Sequence, residues 1–393
     1  MQAFNLDLCE LPPQAAALRE DVRAFLADSL AEFPPAGRAR SWVGFDGEFS
    51  RKLGAQGWLG MTWPEPYGRA RSALERYVVI EELLAAGAPV AAHWIGERQS
   101  GPLILRFGTE DQQQRLLPAI AAGESYFCIG MSEPDSGSDL ASIRTRGVCG
   151  DGGWVINGQK VWTTYAHKSH YMIALVRTGE AGDDRHAGFS QFIVDLSTPG
   201  VTVRPIRNMI GDEEFNEVIF EDVFIPDDML VGEEGNGWQQ VIAELAFERS
   251  GPDRFLSSFQ LIVEMVRRAC VIEGETQSGG KKTVISTRAS IAIGRLTAHL
   301  ITLRQMSLAV AAQLDAGVQP VVEATVVKDL GVAFEQSIPE IAHDLFGVSP
   351  RLDSGDDFEK ALAYVQQANV SFSLRGGTTE ILRGVIARGL GLR

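Results

Sequence analysis

The chain of 393 residues has little of what builds metal centres or disulfide scaffolds. Its four cysteines, Cys9, Cys128, Cys149 and Cys270, stand far apart with no CxxC spacing, and its six histidines do not cluster. Neither a metal site nor a disulfide framework is expected, and reduced thiols fit a cytoplasmic chain. Long apolar runs are also missing. The longest, Leu83 to Ala92, is interrupted by Gly87 and Pro89, and residues 1 to 30 lack a basic start followed by an apolar stretch. No export signal, no bilayer span and no membrane partner are expected. Positive charge is in the minority, with 36 Lys and Arg against 51 Asp and Glu for a net charge of −15. The average field therefore repels phosphate backbones and anionic lipid, and no nucleic-acid partner is expected. No Gly-x-Gly-x-x-Gly follows a strand pattern, so NAD is not expected.

What is present is a large apolar fraction, 45% of residues, in a chain long enough for two or three domains. From Pro12 to about Ala122 the pattern is helical. "AALREDVRAFLADSL" and "LERYVVIEELLAAG" repeat apolar residues at three and four, and Thr109 is a candidate N-cap. Between Phe127 and about Val231 short strands take over, with "WVINGQKVW" holding an Asn-Gly turn between two apolar runs. Helical spacing returns after Gly237 in Ile293, Leu296, Leu300, Leu303, Val310 and Leu314, and again in Val327, Leu330, Phe334, Ile338, Ile341 and Leu345. The expected fold is a multidomain α+β chain. It has an all-α N-terminal domain at 1–126, a β-barrel-like middle domain at 127–234 and a C-terminal four-helix bundle at 235–393.

Four segments carry unusual residues. In "CIGMSEPDSGSDLASIRTR" small and polar residues let backbone N–H groups approach a ligand, with Ser132 and Ser138 as hydroxyls, although a capped turn would look the same. In "NGQKVWTTYAHKSH" Trp162 and Thr164 lie two apart and so on one face of a strand, offering a flat aromatic beside a hydroxyl or simply packing. Near the end, Gly376 and Gly377 precede Thr378 at a helix N-terminus, which suits an anion or an ordinary turn. Glu248, in "AELAFERSGPDRF", falls on an apolar stripe with Val241, Leu245 and Pro252. It is a carboxylate whose pKa desolvation would raise, or a partner for Arg249 or Arg254.

Taken together, "SEPDSGSDL", "NGQKVWTT", "FNEVIFEDVFIP", "VGEEGNGW", "FERS" and "GGTTEILR" resemble the acyl-CoA dehydrogenase family of flavoenzymes over essentially the whole chain. The resemblance implies FAD as cofactor. The ring would be bonded by Ser132 with the backbone of Met131 and flanked by Trp162 and Thr164, with Thr163 also binding the cofactor, while Thr378 and Glu380 meet it at the last helix. It implies an acyl-CoA substrate facing Ser138, Arg249 and Gly377, its thioester carbonyl bonded by the Gly376 backbone N–H. Because glycine occupies the family's common base position, the resemblance moves the α-proton base to Glu248, as in members that carry it on the bundle helix. Electrons would pass to an electron-transfer flavoprotein.

Two departures stand out. The family's Arg-x-x-Phe-Gly is missing from "RRACVIEGETQSGGKKTVISTR", and its glycine-rich segment is replaced by "HDLFGVSPRLDSGDD". Such losses accompany assemblies of two different subunits, so the expected tetramer is homomeric or built with a related chain. A non-catalytic or half-site subunit and an acyl-CoA oxidase of the same fold are the alternatives.

Overall fold

The computed structural model describes residues 4, 6–180, 184–248, 251–275 and 281–392, leaving aside the side chains of 245–248, 271–275 and 281–284. The chain separates into two compact units. One holds Met1–Gly44, Ser72–Pro89 and Arg249–Arg393, the other Phe45–Arg71 and Val90–Glu248.

The first unit is helical. Its helices include Pro13–Ser29, Ala73–Ala86, Phe259–Ala269, Thr287–Asp315, Val321–Phe346, Asp357–Ala368 and Thr379–Gly389. Ala73–Ala86 starts at a capping box of Ser72 and Glu75 and stops at Gly87, whose φ of 77° is left-handed. The long helices bury Leu296, Leu303 and Val310 on one and Val327, Phe334 and Ile338 on the other, as a helical repeat requires. Leu314 and Leu330, which share those repeats, are 36% and 47% exposed. Charge joins three helices, because Arg19, Arg23 and Arg304 converge on Glu81 and Glu82 of Ala73–Ala86. One stretch expected to be helical is not. An antiparallel pair, Val271–Glu275 with Lys281–Val284, intervenes, with Val271 opposite Val284 and Ile272 opposite Thr283.

The second unit is built on a curled sheet of β1 (Phe127–Gly130), β2 (Arg146–Gly150), β3 (Gly153–Thr164), β4 (Tyr171–Arg177), β5 (Phe189–Asp195), β6 (Val201–Ile206) and β7 (Phe215–Pro226). The strand order is β1-β4-β2-β3-β7-β6, with β5 antiparallel to β4. β4 is buried on both faces and sorts its side chains by alternation. Met172, Ala174 and Val176 join one core with Trp154, Phe192 and Val218, while Ile173 packs with Leu103, Leu116 and Leu117 from the helices. Each such buried aliphatic side chain stabilises by roughly 1.5–3 kcal/mol.

Asn157–Gly158 is not the hairpin turn its sequence suggests. β3 runs straight through it, and the chain reverses instead at Asp151–Gly152, between β2 and β3. Gly158 sits at a register shift with φ of 144°, and a Cβ there would lie 2.6 Å from Thr145 Cα. Glycine is needed for close approach, and Asn157 exchanges hydrogen bonds with Asp222 across the bulge. Among the described residues no helix is long and apolar enough to cross a membrane.

Candidate functional site

The second unit contains a cavity of about 170 Å³ lined by Ile95, Gln99, Ile129, Met131, Ser132, Val161, Trp162 and Thr164. Three local irregularities build it. The helix Ala91–Ile95 continues through a π-turn at Gly96–Ser100 into Gly101–Phe107. Such a turn inserts an extra residue and redirects a side chain, here Gln99. Gln99 is 7% exposed, and among the described residues its amide has no protein partner. Second, β3 bulges between Lys160 and Thr163, which places Trp162 in the left-handed region at φ 60°. A tryptophan pays strain there, and such strain collects at functional positions. Phe215 holds the indole edge-on at 6.0 Å, yet 59% of Trp162 stays exposed. Third, β1 ends at Gly130, and the turn that follows brings Met131 and Ser132 to the cavity. Neither the N–H nor the hydroxyl of Ser132 has a protein partner among the described residues.

Beneath this turn lies a buried ion pair. Lys160, wholly buried, donates from Nζ to Glu133 Oε1 at 2.8 Å and to the Met131 carbonyl at 3.1 Å. Glu133 also accepts from the backbone N–H of Arg144 at 2.6 Å and of Thr145 at 2.9 Å. Burial brings the Lys160 ammonium down to about 8, with Glu133 opposing the fall. Burial pushes the Glu133 carboxyl up, but Lys160, Thr145 and the Arg144 N–H outweigh it and hold the group below its ordinary value.

Of the residues expected at the flavin, Met131, Ser132, Trp162 and Thr164 meet at this cavity. Trp162 and Thr164 do so across a bulge rather than by simple strand alternation. Thr163 does not reach it. Its side chain is fully buried on the face opposite Thr164, as strand alternation requires, and its Oγ1 has no partner among the described residues. Ser138 is exposed on the loop beyond Ser136, whose hydroxyl bonds the Asp139 carbonyl at 2.6 Å. Glu248 closes the helix Gly237–Glu248, but its side chain and all of Arg249 lie outside the described residues.

The remaining candidates belong to the helical unit. Thr378 caps the last helix, its hydroxyl accepting from Ile381 N–H at 3.4 Å. The N–H of Glu380 itself, then Thr378, draw the Glu380 carboxyl below its ordinary value. Gly376 and Gly377 take φ of 65° and 107°, which side chains avoid, and the fully buried Lys328 donates to the Gly377 carbonyl at 2.6 Å. Nearby, Arg375 stacks on Trp42 and Phe372 and reaches Ser257. Burial raises the carboxyl of the adjacent Glu335 to about 6, against the pull of Arg375, Ser257 and the Ser258 N–H.

Gln99, Lys160, Glu133 and Lys328 escape sequence reasoning. Glu133 and Lys160 stand inside the two telling motifs, yet a lysine in a strand pattern normally points to water.

A helical unit and a curled β unit, the latter holding a cavity with a strained tryptophan and donors that have no partner among the described residues, define a flavoprotein oxidoreductase of the acyl-CoA dehydrogenase fold. The family models agree. "Acyl-CoA dehydrogenase, N-terminal domain" matches residues 12–124, "middle domain" 128–223 and "C-terminal domain" 235–391. The chain belongs to the acyl-CoA dehydrogenase family. It is 35% identical to the acyl-CoA dehydrogenase IpdE1 of Mycobacterium tuberculosis, over 95% of this chain and 97% of that one. Among solved structures it resembles the ChsE4-ChsE5 complex from Mycobacterium tuberculosis, with TM-score 0.82 and 28% identity over 98% of this chain and 99% of that chain. It resembles equally the Tcur3481-Tcur3483 steroid ACAD, with TM-score 0.82 and 26% identity over the same shares.

Proposed function

We propose that this chain binds FAD and introduces an α,β double bond into an acyl-CoA thioester, passing electrons to an electron-transfer flavoprotein. The observation that carries the reading is the cavity itself. The N–H and hydroxyl of Ser132, which have no partner among the described residues, and the hydroxyl of Thr164 stand beside a tryptophan held open in a strained conformation. This donor set fits the polar edge and flat face of an isoalloxazine. When bound, FAD supplies the acceptor for the substrate's β hydrogen. Glu248 takes the α proton, and the Gly376 N–H donates to the thioester carbonyl, where negative charge develops. Thr378 and Glu380 hold the cofactor at the last helix, and Ser138, Arg249 and Gly377 contact the substrate.

Glycine at 376 leaves room beside the substrate, and one structural relative is a steroid ACAD, so the acyl group we favour is bulky or polycyclic. The domains run 1–126, 127–234 and 235–393, and the assembly is a tetramer in the cytoplasm. A second reading, a half-site subunit of a mixed tetramer, draws support from the missing Arg-x-x-Phe-Gly and from the likeness to a two-component complex. Flavin content separates the two. A chain purified alone with about one FAD per subunit, lost in Trp162→Ala, supports the first reading, whereas FAD uptake only with a related chain present supports the second.

A further inference from the structure

Lys160 stands on β3 two residues before Trp162, and its ammonium ends not in water but against the turn that follows β1. A buried ion pair is seldom a net gain over apolar side chains of the same volume, so its presence here asks for a role other than stability. The bond from Nζ to the Met131 carbonyl has a geometric consequence. A trans peptide is planar, with its carbonyl and the following N–H on opposite sides. Drawing Met131 O toward Lys160 therefore turns the Ser132 N–H the other way, and that N–H has no protein partner among the described residues. The next peptide is held as well, since Ser132 O accepts from Val161 N–H at 2.9 Å. Glu133 completes the clamp. It fixes Lys160 with one oxygen and takes the Arg144 and Thr145 N–H groups at the far end of the loop.

We propose that Lys160 and Glu133 are positioning residues for the flavin, setting the Met131–Ser132 peptide so that the Ser132 N–H and hydroxyl meet the ring's polar edge. The inference rests on the flavin reading of this cavity. Neither side chain lines the cavity, and both act through the turn. One strand thus carries the aromatic wall, Trp162, and the anchor of the opposing donors, Lys160, so a shift of β3 moves both together.

The test compares Lys160→Met, Glu133→Gln, the double variant, Ser132→Ala and Trp162→Ala with the parent. Each is followed by thermal unfolding and by titrating the flavin-free protein with FAD, reading fluorescence quenching and the visible band of the bound flavin. The double variant keeps the volume and removes both charges, so it remains a folded probe where Lys160→Met alone strands a buried carboxylate. It is expected to unfold near the parent's temperature, bind FAD about tenfold or more weakly and display a shifted band. Glu133→Gln, which keeps the bond from Lys160 to Met131, should lose less. A double variant with parental affinity and band, while Trp162→Ala is weakened, overturns the positioning role and leaves the flavin reading in place. Parental affinity in both Trp162→Ala and Ser132→Ala, or a parent that takes up no FAD, overturns the reading and the inference with it.

Discussion

Lys160 Nζ lies 2.8 Å from Glu133 Oε1 with the lysine fully withdrawn from water, tying β3 to the turn that supplies Met131 and Ser132. Because the Lys160 ammonium titrates near 8 instead of 10.5, the folded chain gives up that proton before the unfolded chain does. Between those values the unfolded state binds more protons, so this group's contribution to stability rises with pH across the window. The melting temperature of the parent relative to Lys160→Met/Glu133→Gln should therefore climb from about pH 8 to about pH 10. A difference that is flat or falls would mean that the lysine is not desolvated.

Glu335 makes the opposite prediction in the helical unit. Its carboxyl is raised to about 6 from 4.5, so the folded state holds the proton longer than the unfolded state. Stability from this group is complete below the lower value and declines as pH rises through the folded one. Glu335→Gln, which can still accept from the Ser258 N–H, should remove that decline between pH 4.5 and 6 in a series of thermal melts.

Gly158→Ala tests the bulge in β3. The added Cβ meets Thr145 backbone at 2.6 Å, and φ is 144°, so the substitution should cost about 1–3 kcal/mol. Gly137→Ala, with nothing within 4 Å of its Cβ, should change stability little. Urea unfolding of the two variants measures the contrast.

Glu248→Gln should slow reduction of the bound flavin by acyl-CoA about 10²- to 10⁴-fold while FAD binding is retained, since glutamine cannot accept the α proton. Parental rates in anaerobic stopped flow would return Glu248 to a structural role.

The succession of helices, strands and helices was legible because periods of 3.6 and 2 differ plainly over runs such as "AALREDVRAFLADSL" and "EVIFEDVFI". Single-position exceptions were not. Asn157–Gly158 carries the strongest short hairpin signal, yet the turn fell to Asp151–Gly152 because Gly158 is needed where β3 approaches Thr145. The pair Val271–Glu275 and Lys281–Val284 is too short for period alone to show. At the cavity, hydroxyls and an aromatic inside recognisable motifs were readable, so Met131, Ser132, Trp162 and Thr164 were found together. Thr163, between Trp162 and Thr164, turns its side chain into the core, and its part in holding the cofactor is not read from the strand pattern. Gln99 depends on one residue inserted in a helix, and burial of Lys160 on which strand crosses above it. Neither leaves a periodic trace.

The most direct measurement of the central claim is an anaerobic titration of the flavin-loaded protein with a panel of straight, branched and polycyclic acyl-CoA thioesters, watching the visible flavin band. The account predicts that at least one bulky thioester bleaches the band stoichiometrically and yields the α,β-unsaturated product. A protein that holds flavin in full and is bleached by no thioester, alone or with a related chain present, would contradict it.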